Sequence, residues 1–372
     1  VLLDGKQTMN PYRAYEQFAV EGEAVNIREY GEGHINQSYR IETASPIYLL
    51  QRINTEIFRS PVQLMENIQH VTEYLRRQIA LRGGDPERET LRVIPTKDGQ
   101  LYADLGTEGC WRLYHFIPNT VTYQNFTEPA VFENCGRTFG GFLADLDGYP
   151  VQTLHEVIPE FHNTVQRYHN LEAAVQADAA GRVGQLAKEL CWVRERKKYY
   201  GTITEALAAG EIPVRVTHND TKVNNILLDP ITGQGICVVD LDTVMPGSSL
   251  YDFGDAIRVG AATQAEDCPQ PERMHLNPAL FDAFVRGYIT GARGKLTGEE
   301  IRRMPWGAWI MTVENGIRFL TDYIEGDVYY RIHRPDQNLD RARAQFALAA
   351  DIESKWKELT EITEKYQNIQ EG

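Results

Sequence analysis

The sequence has few cysteines, no long apolar run and no excess of positive charge. Its five cysteines are scattered along 372 residues, and no two of them have Cys-x-x-Cys spacing. A small, odd and dispersed set predicts reduced thiols in a cytoplasmic protein and argues against a zinc site. No run of eighteen apolar residues occurs, so a membrane-spanning helix is not expected.

Basic residues are outnumbered, with 38 Lys and Arg against 52 Asp and Glu, which gives a net charge of −14. A chain of this charge repels phosphate backbones, so nucleic acid is not an expected partner. The expected partners are small molecules, and the expected state is a monomer or weak dimer. Internal repeats and low-complexity segments are also lacking, and 42% hydrophobic residues suffice for the core of two domains or lobes.

Strand patterns dominate the first third of the chain, and helical patterns dominate the rest. Alternating residues predict strands at 39–43, 47–53, 91–95 and 111–117, and Ser60-Pro61 predicts the start of one long helix among them. Helical spacing recurs at 129–147, 164–177, 186–208, 278–292, 298–326 and 338–367. These patterns predict an α+β protein with a small, mostly antiparallel β lobe (residues 1–118) and a larger, mostly helical lobe (119–372).

The most informative stretch lies between residues 214 and 258. One apolar run is followed by Asp220 and, five residues later, Asn225; a second is followed by Asp240 and Asp242. Phosphoryl transfer requires one carboxylate for the proton of the acceptor hydroxyl, and an amide oxygen and a carboxylate for the metal on the nucleotide phosphates. The pattern predicts Asp220 as catalytic base and the other three as Mg²⁺ ligands. For Asp240 and for Asp242, a helix N-cap or a salt bridge is the structural alternative.

Two further features fit a nucleotide site. Gly31, Gly33, His34 and Asn36 lie between a strand-rich start at residues 27–29 and the strand predicted at 39–43. Glycine lets backbone N–H groups approach a phosphate, although the same pattern is typical of a hairpin turn. Lys222 follows the predicted base by two residues, which suits it to neutralise the transferred phosphoryl group in the transition state.

These motifs resemble those of the aminoglycoside phosphotransferase and choline kinase superfamily, which has a protein-kinase-like fold, and within it the N-acetylhexosamine 1-kinases. The resemblance lies in residues 33–36, 217–225, 240–247, 251–258 and 314–323. It implies the roles given above for Asp220, Asn225 and Asp240. It also implies that residues 31–36 cover the phosphates of ATP, and that backbone groups near His115 and Ile117 meet the adenine.

One departure from the superfamily concerns a strand lysine, often paired with a glutamate on the next helix. No lysine occurs between residues 47 and 54, so Gln51 or Arg52 must take its place. Strand alternation puts these two on opposite faces, and only one can reach the phosphates. Arg52 is predicted, because the task is charge neutralisation, with Glu66 as its partner. A solvated Arg52 is the alternative.

The acceptor is predicted to lie between the Asp220 loop and the helix that contains Arg318, Asp322 and Tyr323. This mixture of donors and acceptors suits a polyhydroxylated ligand with an amide, although Arg318 and Asp322, four residues apart, can instead pair with each other. The predicted reaction is transfer of the ATP γ-phosphoryl group to a sugar hydroxyl, the anomeric hydroxyl of an N-acetylhexosamine. Another acceptor (aminoglycoside, choline, homoserine or another sugar) and a non-catalytic nucleotide-binding module remain alternatives, and preference between ATP and GTP is open.

Overall fold

The largest sheet that the structure describes lies between residues 26 and 115. The structure is a computed structural model and describes residues 10–31, 36–123 and 128–371, with side chains described to residue 367. Its antiparallel sheet has the order β1-β2-β3-β6-β4, with β5 also paired to β6. The strands are β1 (Asn26–Glu29), β2 (Gln37–Glu42), β3 (Ile47–Arg52), β4 (Val93–Ile94), β5 (Ala103–Asp104) and β6 (Cys110–His115).

Two helices flank the sheet. Helix α1 (Pro11–Tyr15) contributes Ala14 and Tyr15 to a small core with Leu50 and Leu113. Helix α2 (Pro61–Leu81) begins as predicted, with the Ser60 hydroxyl accepting the Gln63 N–H. Its buried stripe joins the larger core that fills the helical part of the molecule, so α2 connects the sheet to that part.

The rest of the chain is mostly helical, which confirms the predicted α+β class. It contains two short antiparallel ladders, β7 (Arg215–Thr217) with β10 (Met245–Gly247) and β8 (Ile226–Leu228) with β9 (Gly235–Val238). Its helices are α3 (Pro129–Leu146), α4 (Thr164–Ala177), α5 (Ala187–Arg196), α6 (Thr202–Ala208), α7 (Ser249–Gly260), α8 (Pro278–Gly291), α9 (Gly298–Arg302), α10 (Met304–Glu325), α11 (Gln337–Ser354) and α12 (Trp356–Glu371).

Three of the segments predicted as single helices each form two helices in the structure. The segments 186–208, 298–326 and 338–367 break between α5 and α6, between α9 and α10, and between α11 and α12. The second break has a clear cause, since Pro305 lies in the first turn of α10, where its missing N–H is tolerated. The lobe boundary at residue 118 stays a prediction. None of the described helices is both long and apolar enough to cross a bilayer.

A close contact between α3 and α8 supports the segment that follows β7. A Cβ at Gly140 on α3 would lie 2.1 Å from the Tyr288 carbonyl oxygen on α8, so only glycine permits this approach. Phe139 and Phe142, on the same helix, pack edge-on against the His218 ring, with centroids 6.0 and 6.1 Å away. The helix pair thereby forms a rigid base under the chain that leads to Asp220.

Candidate active site

The turn before Asp220 is held by Asp252, in the first turn of α7. The Asp252 carboxylate accepts the N–H groups of His218 (2.9 Å) and Asn219 (2.7 Å), and burial raises its pKa to about 6. His218 Nε2 donates to the Val239 carbonyl (2.8 Å), which leaves Nδ1 to accept the Asp220 N–H (3.2 Å). Asn219 has a left-handed backbone (φ 64°), which asparagine tolerates better than most residues. The backbone orientation of Asp220 is therefore fixed from several sides.

Asp220 lies between a cation and an amide. Its Oδ1 is 2.8 Å from Lys222 Nζ, and Asn225 Nδ2 donates to its carbonyl (2.8 Å) and to its Oδ2 (3.2 Å). Burial acts to raise the pKa of Asp220, but the charge and hydrogen bond of Lys222 outweigh this and hold the pKa below its ordinary value. Asp220 is thus ionised at neutral pH, and its partly exposed carboxylate is open to a ligand.

Asn225 and Asp240 have the free oxygens that a divalent cation needs. The Asn225 amide nitrogen is used on Asp220, which leaves its oxygen available. The Asp240 carboxylate is exposed and has no hydrogen bond or ion pair within the described part of the chain. Loss of hydration among the surrounding protein atoms, with the charges of Asp242 and Asp220, raises the pKa of Asp240 to about 7. A carboxylate among like charges, beside a free amide oxygen, fits Mg²⁺.

The described residues contain no group of three or more His, Cys, Asp or Glu arranged to hold a metal. Mg²⁺ sites in phosphoryl transfer commonly use only one or two protein carboxylates, with nucleotide phosphates and waters as the remaining ligands. The pair of Asn225 and Asp240 therefore suits a metal that arrives with a nucleotide.

Both oxygens of Asp242 are occupied by protein donors. Oδ1 forms a short ion pair with Arg112 Nη1, and Oδ2 accepts from Asn36 Nδ2 at 2.7 Å. These contacts do not support the predicted metal role of Asp242; they match its structural alternative, a salt bridge. Asn36 is thus a partner of the Asp242 segment. Of the other predicted phosphate-loop residues, Gly31 has φ 82°, a conformation that favours glycine, and Gly33 and His34 lie outside the described residues.

The predicted phosphate contact of Arg52 is not supported by its position on β3. Gln51 is opposite Arg112 on β6 and accepts from Arg112 Nε at 3.1 Å, so these two share the face towards Asp242. Arg52 is on the other face and donates to the Glu108 carbonyl at 3.2 Å. Because of strand alternation, Gln51 and not Arg52 lies on the face of β3 that contacts the Arg112 guanidinium.

The predicted pairing of Arg52 with Glu66 does not occur. Glu66 Oε2 lies 2.8 Å from His155 Nε2, and the side chain lines a cavity of about 590 Å³ between α2 and residues 96–105 that contains no other predicted site residue. The buried cation that sequence reasoning missed is Arg112, one strand away. Neither strand alone gives a signal for Arg112, because its position opposite Gln51 depends on the strand register.

Among residues 115–117, which are predicted to meet the adenine, one backbone N–H has no acceptor in the described part of the chain. The N–H groups of His115 and Phe116 donate to the carbonyls of Arg92 and Ile47, both at 3.0 Å. The Ile117 N–H has no acceptor within the described part of the chain. Burial lowers the pKa of His115, so its ring is neutral at neutral pH. Ile117 therefore fits the predicted contact with a base better than the His115 N–H does.

The chain matches the phosphotransferase enzyme family, abbreviated APH, over residues 26–298. It belongs to this family. Among solved structures, it is similar to an aminoglycoside phosphotransferase from Alicyclobacillus acidocaldarius, with TM-score 0.61, 13% identity and coverage of 96% of this chain and 97% of the other. It is also similar to an ethanolamine kinase from Plasmodium vivax, with TM-score 0.58, 14% identity and coverage of 86% and 82%.

A third similar structure is the GDP and kanamycin complex of APH(2'')-IIIa, with TM-score 0.53, 11% identity and coverage of 91% of this chain and 96% of the other. Identities this low show that the fold is shared. The assignment of an acceptor to this phosphotransferase rests on its own side chains.

On the helical side of Asp220, the phosphotransferase has side-chain donors, Arg318 and Tyr330 among them, without acceptors in the described part of the chain. The Arg318 guanidinium carbon lies 5.4 Å from the Phe161 ring centroid and 5.7 Å from that of Tyr330. Neither Arg318 nor the buried Tyr330 hydroxyl forms a hydrogen bond or ion pair with any residue that the structure describes. Phe161 precedes His162, whose Nε2 donates to the Asn219 carbonyl, so this group lies beside the Asp220 loop.

Asp322 and Tyr323, predicted to contact substrate, have structural partners. The buried Asp322 carboxylate accepts the backbone N–H groups of residues 328–330 and the Asn338 amide. It therefore forms no pair with Arg318; it folds the segment that places Tyr330 beside Arg318. The Tyr323 hydroxyl donates to Asp336 (3.0 Å) and accepts from Gln185 (2.8 Å). Of the three helix residues predicted for the acceptor, only Arg318 is available.

A buried pair ties α10 to the catalytic turn. Glu314 Oε1 lies 2.8 Å from His162 Nδ1, and Glu314 Oε2 accepts from the Thr164 hydroxyl at 2.7 Å. His162 Nε2 donates to the Asn219 carbonyl at 3.1 Å. Burial acts to raise the pKa of Glu314, but His162 outweighs it and the pKa lies below its ordinary value.

A depressed carboxyl pKa stabilises the fold above the unfolded-state pKa and is lost as pH falls through the folded-state value. Glu314→Gln is therefore expected to lower the free energy of unfolding at neutral pH by about 1–3 kcal/mol, and the difference should shrink below about pH 4. Urea unfolding across this range measures it, with the exposed Glu358→Gln as control. A difference that did not change with pH would contradict the depressed pKa.

Proposed function

We propose that this phosphotransferase is a magnesium-dependent kinase that transfers the γ-phosphoryl group of ATP to the anomeric hydroxyl of an N-acetylhexosamine. The observation that carries the proposal is the Asp220 carboxylate 2.8 Å from Lys222 Nζ and 3.2 Å from Asn225 Nδ2, with Asp240, which has no partner among the described residues, nearby. Family membership and the shared fold support the transfer of a phosphoryl group, and the similar structure that contains GDP supports a nucleotide donor.

Each residue has a chemical task in this proposal. Asp220 orients the acceptor hydroxyl and takes its proton as the oxygen–phosphorus bond forms. Lys222 balances the negative charge that develops on the transferred group. Asn225 and Asp240 hold Mg²⁺, which neutralises the phosphates when the nucleotide is bound. The Ile117 N–H binds the edge of the adenine.

The acceptor is inferred from the charge beside Asp220. Arg318 and the Tyr330 hydroxyl are unpaired donors, and Phe161 and Tyr330 have ring faces suited to the apolar face of a sugar. Hydroxyl and acetamido oxygens satisfy such donors. A polycationic aminoglycoside or the choline cation would meet the positive charge of Arg318, and Asp322 is fully used and cannot balance it. The site therefore favours a neutral, oxygen-rich acceptor.

An acceptor screen tests the proposal. Purified protein with Mg²⁺ and ATP, or GTP in parallel, is offered hexoses, N-acetylhexosamines, kanamycin, choline, ethanolamine and homoserine, and nucleotide diphosphate release is followed. We expect the N-acetylhexosamines to be the best acceptors, with phosphorus NMR placing the phosphate on the anomeric oxygen. Faster phosphorylation of an amino alcohol or an aminoglycoside would reject the sugar assignment and leave the kinase assignment intact.

Arg318→Ala should raise the KM for the acceptor about 10- to 100-fold, because hydrogen bonds to a charged donor contribute about 1.5–3 kcal/mol. The KM for ATP should be unchanged, and the preference for N-acetylated over plain hexoses should decrease. The exposed Arg331→Ala, in the nearby loop, is the control. An Arg318→Ala protein with lower thermal stability and unchanged acceptor kinetics would assign Arg318 a structural role only.

A further inference from the structure

The only charged contact that the sheet makes with the Asp240 segment, among the described residues, is the pair of Arg112 and Asp242. Both side chains are buried, at 1% and 5% exposure. Gln51 Oε1 accepts from Arg112 Nε, and Asn36 Nδ2 donates to Asp242 Oδ2. Asn36 Oδ1 in turn accepts the Asn54 N–H at 3.0 Å. Arg112 and Asn36 thus bind the Asp242 carboxylate directly, and Gln51 and the Asn54 N–H hold these two side chains in turn.

The position of Asp242 in the chain links this contact to Asp240 and to the catalytic segment. Asp242 lies in the single 3₁₀ turn of residues 241–243, directly after Asp240, whose backbone is left-handed (φ 61°, ψ 58°). The far end of that turn is tied to the catalytic segment, since the Thr243 hydroxyl donates to the His218 carbonyl (2.7 Å) and Asn219 Nδ2 donates to the Thr243 carbonyl (2.9 Å). The turn is therefore clamped between the sheet and the catalytic loop.

Asp240 itself has no partner among the described residues that would orient its carboxylate. Its direction is consequently set by the turn that follows it, and one end of that turn is set by Asp242. A buried ion pair is a poor source of net stability, because an apolar pair of similar volume often serves as well or better. Stability alone therefore gives little reason for an arginine in the centre of β6.

We infer that Arg112 is a positioning residue for the proposed magnesium ligand Asp240 and that it acts through Asp242. Arg112 thereby couples the sheet to the metal-binding turn, in a protein that lacks the strand lysine often found in the superfamily. This role depends on the function proposed above, because it requires that the protein bind Mg·ATP. Residues that orient metal ligands typically contribute 10- to 100-fold to metal affinity. The expected effect of losing Arg112 is therefore about 10-fold or more on the Mg²⁺-dependent part of ATP affinity, and little on metal-free ATP affinity.

Three variants separate this role from a purely structural one: Arg112→Met, Asp242→Asn and the double variant. Each is measured by urea unfolding without ligand, and by calorimetry of ATP binding with Mg²⁺ and with EDTA. Each single variant leaves a buried group unpaired and should lose both stability and Mg²⁺-dependent affinity. The double variant has no buried unpaired charge, so it should regain most of its stability while its Mg·ATP affinity stays about 10-fold or more below wild type.

Arg52→Met is the matched control, because it removes the same side chain from the other face of the sheet, and it should leave Mg·ATP affinity unchanged. A double variant that regained both stability and Mg·ATP affinity would overturn the inference, because the pair would then be structural only. An equal loss of ATP affinity with and without Mg²⁺ in Arg112→Met would also overturn it, since Arg112 would then bind the phosphates themselves. Wild-type protein that showed no Mg²⁺-dependent ATP binding would reject the proposed function together with this inference.

Discussion

Asp220→Asn is expected to lower kcat by about two to four orders of magnitude, the range typical of a lost general base. The amide keeps the size of the carboxylate and its place between Lys222 and Asn225, but it cannot take the acceptor proton. Because Asp220 is proposed to touch the acceptor and not the nucleotide, the Kd for Mg·ATP should change little. Steady-state kinetics with the best acceptor and calorimetry with Mg·ATP measure the two quantities.

Asp229→Asn is the matched control for this experiment. It makes the same chemical change in the turn between β8 and β9, where Asp229 accepts the N–H groups of Ile231 and Thr232, and kcat should be unaffected. An Asp220→Asn protein with near-wild-type kcat would remove Asp220 from the mechanism. A large loss of Mg·ATP affinity would instead show that Asp220 acts on the nucleotide or its metal.

The motif around Asp220 is predictable from sequence because its interactions are local. Asp220, Lys222 and Asn225 lie within six consecutive residues, and the contacts among them follow from that spacing. The buried cation Arg112 is different, because its position depends on which residue of β6 lies opposite Gln51. The pairing register of two strands some sixty residues apart cannot be determined from either strand alone. The sequence therefore shows that the strand lysine is missing, but not which residue lies opposite Gln51.

The acceptor helix shows a second limit of local reasoning. Arg318 and Asp322 are four residues apart, a spacing that predicts an ion pair. Helix α10 ends three residues after Asp322, and the chain turns back so that the N–H groups of residues 328–330 reach that carboxylate. The carboxylate of Asp322 is buried, and its bonds to these N–H groups and to the Asn338 amide take precedence over a pair with a partly exposed arginine. Asp322 therefore does not pair with Arg318, and the Arg318 guanidinium stays available for a ligand.

Asp240→Ala is expected to abolish the Mg²⁺-dependent part of ATP binding, because it removes the carboxylate proposed to bridge the protein and the metal. In urea unfolding, wild-type protein should gain about 2.7 kcal/mol at a Mg·ATP concentration of about 100 times Kd, and the variant should gain almost nothing. Asp240→Asn tests the charge separately, since asparagine tolerates the left-handed backbone that alanine disfavours.

The variants also have an expected effect without ligand. Loss of hydration and the charges of Asp242 and Asp220 raise the pKa of Asp240, so the ionised carboxylate lowers the stability of the unliganded protein. The unliganded Asp240→Asn protein should therefore be at least as stable as wild type at slightly alkaline pH. A variant that is more stable than wild type without ligand, but that no longer gains stability from Mg·ATP, is typical of the loss of a metal-binding carboxylate. If Asp240→Asn instead destabilised the unliganded protein and kept the full gain from Mg·ATP, Asp240 would be a structural cap of the turn that follows it.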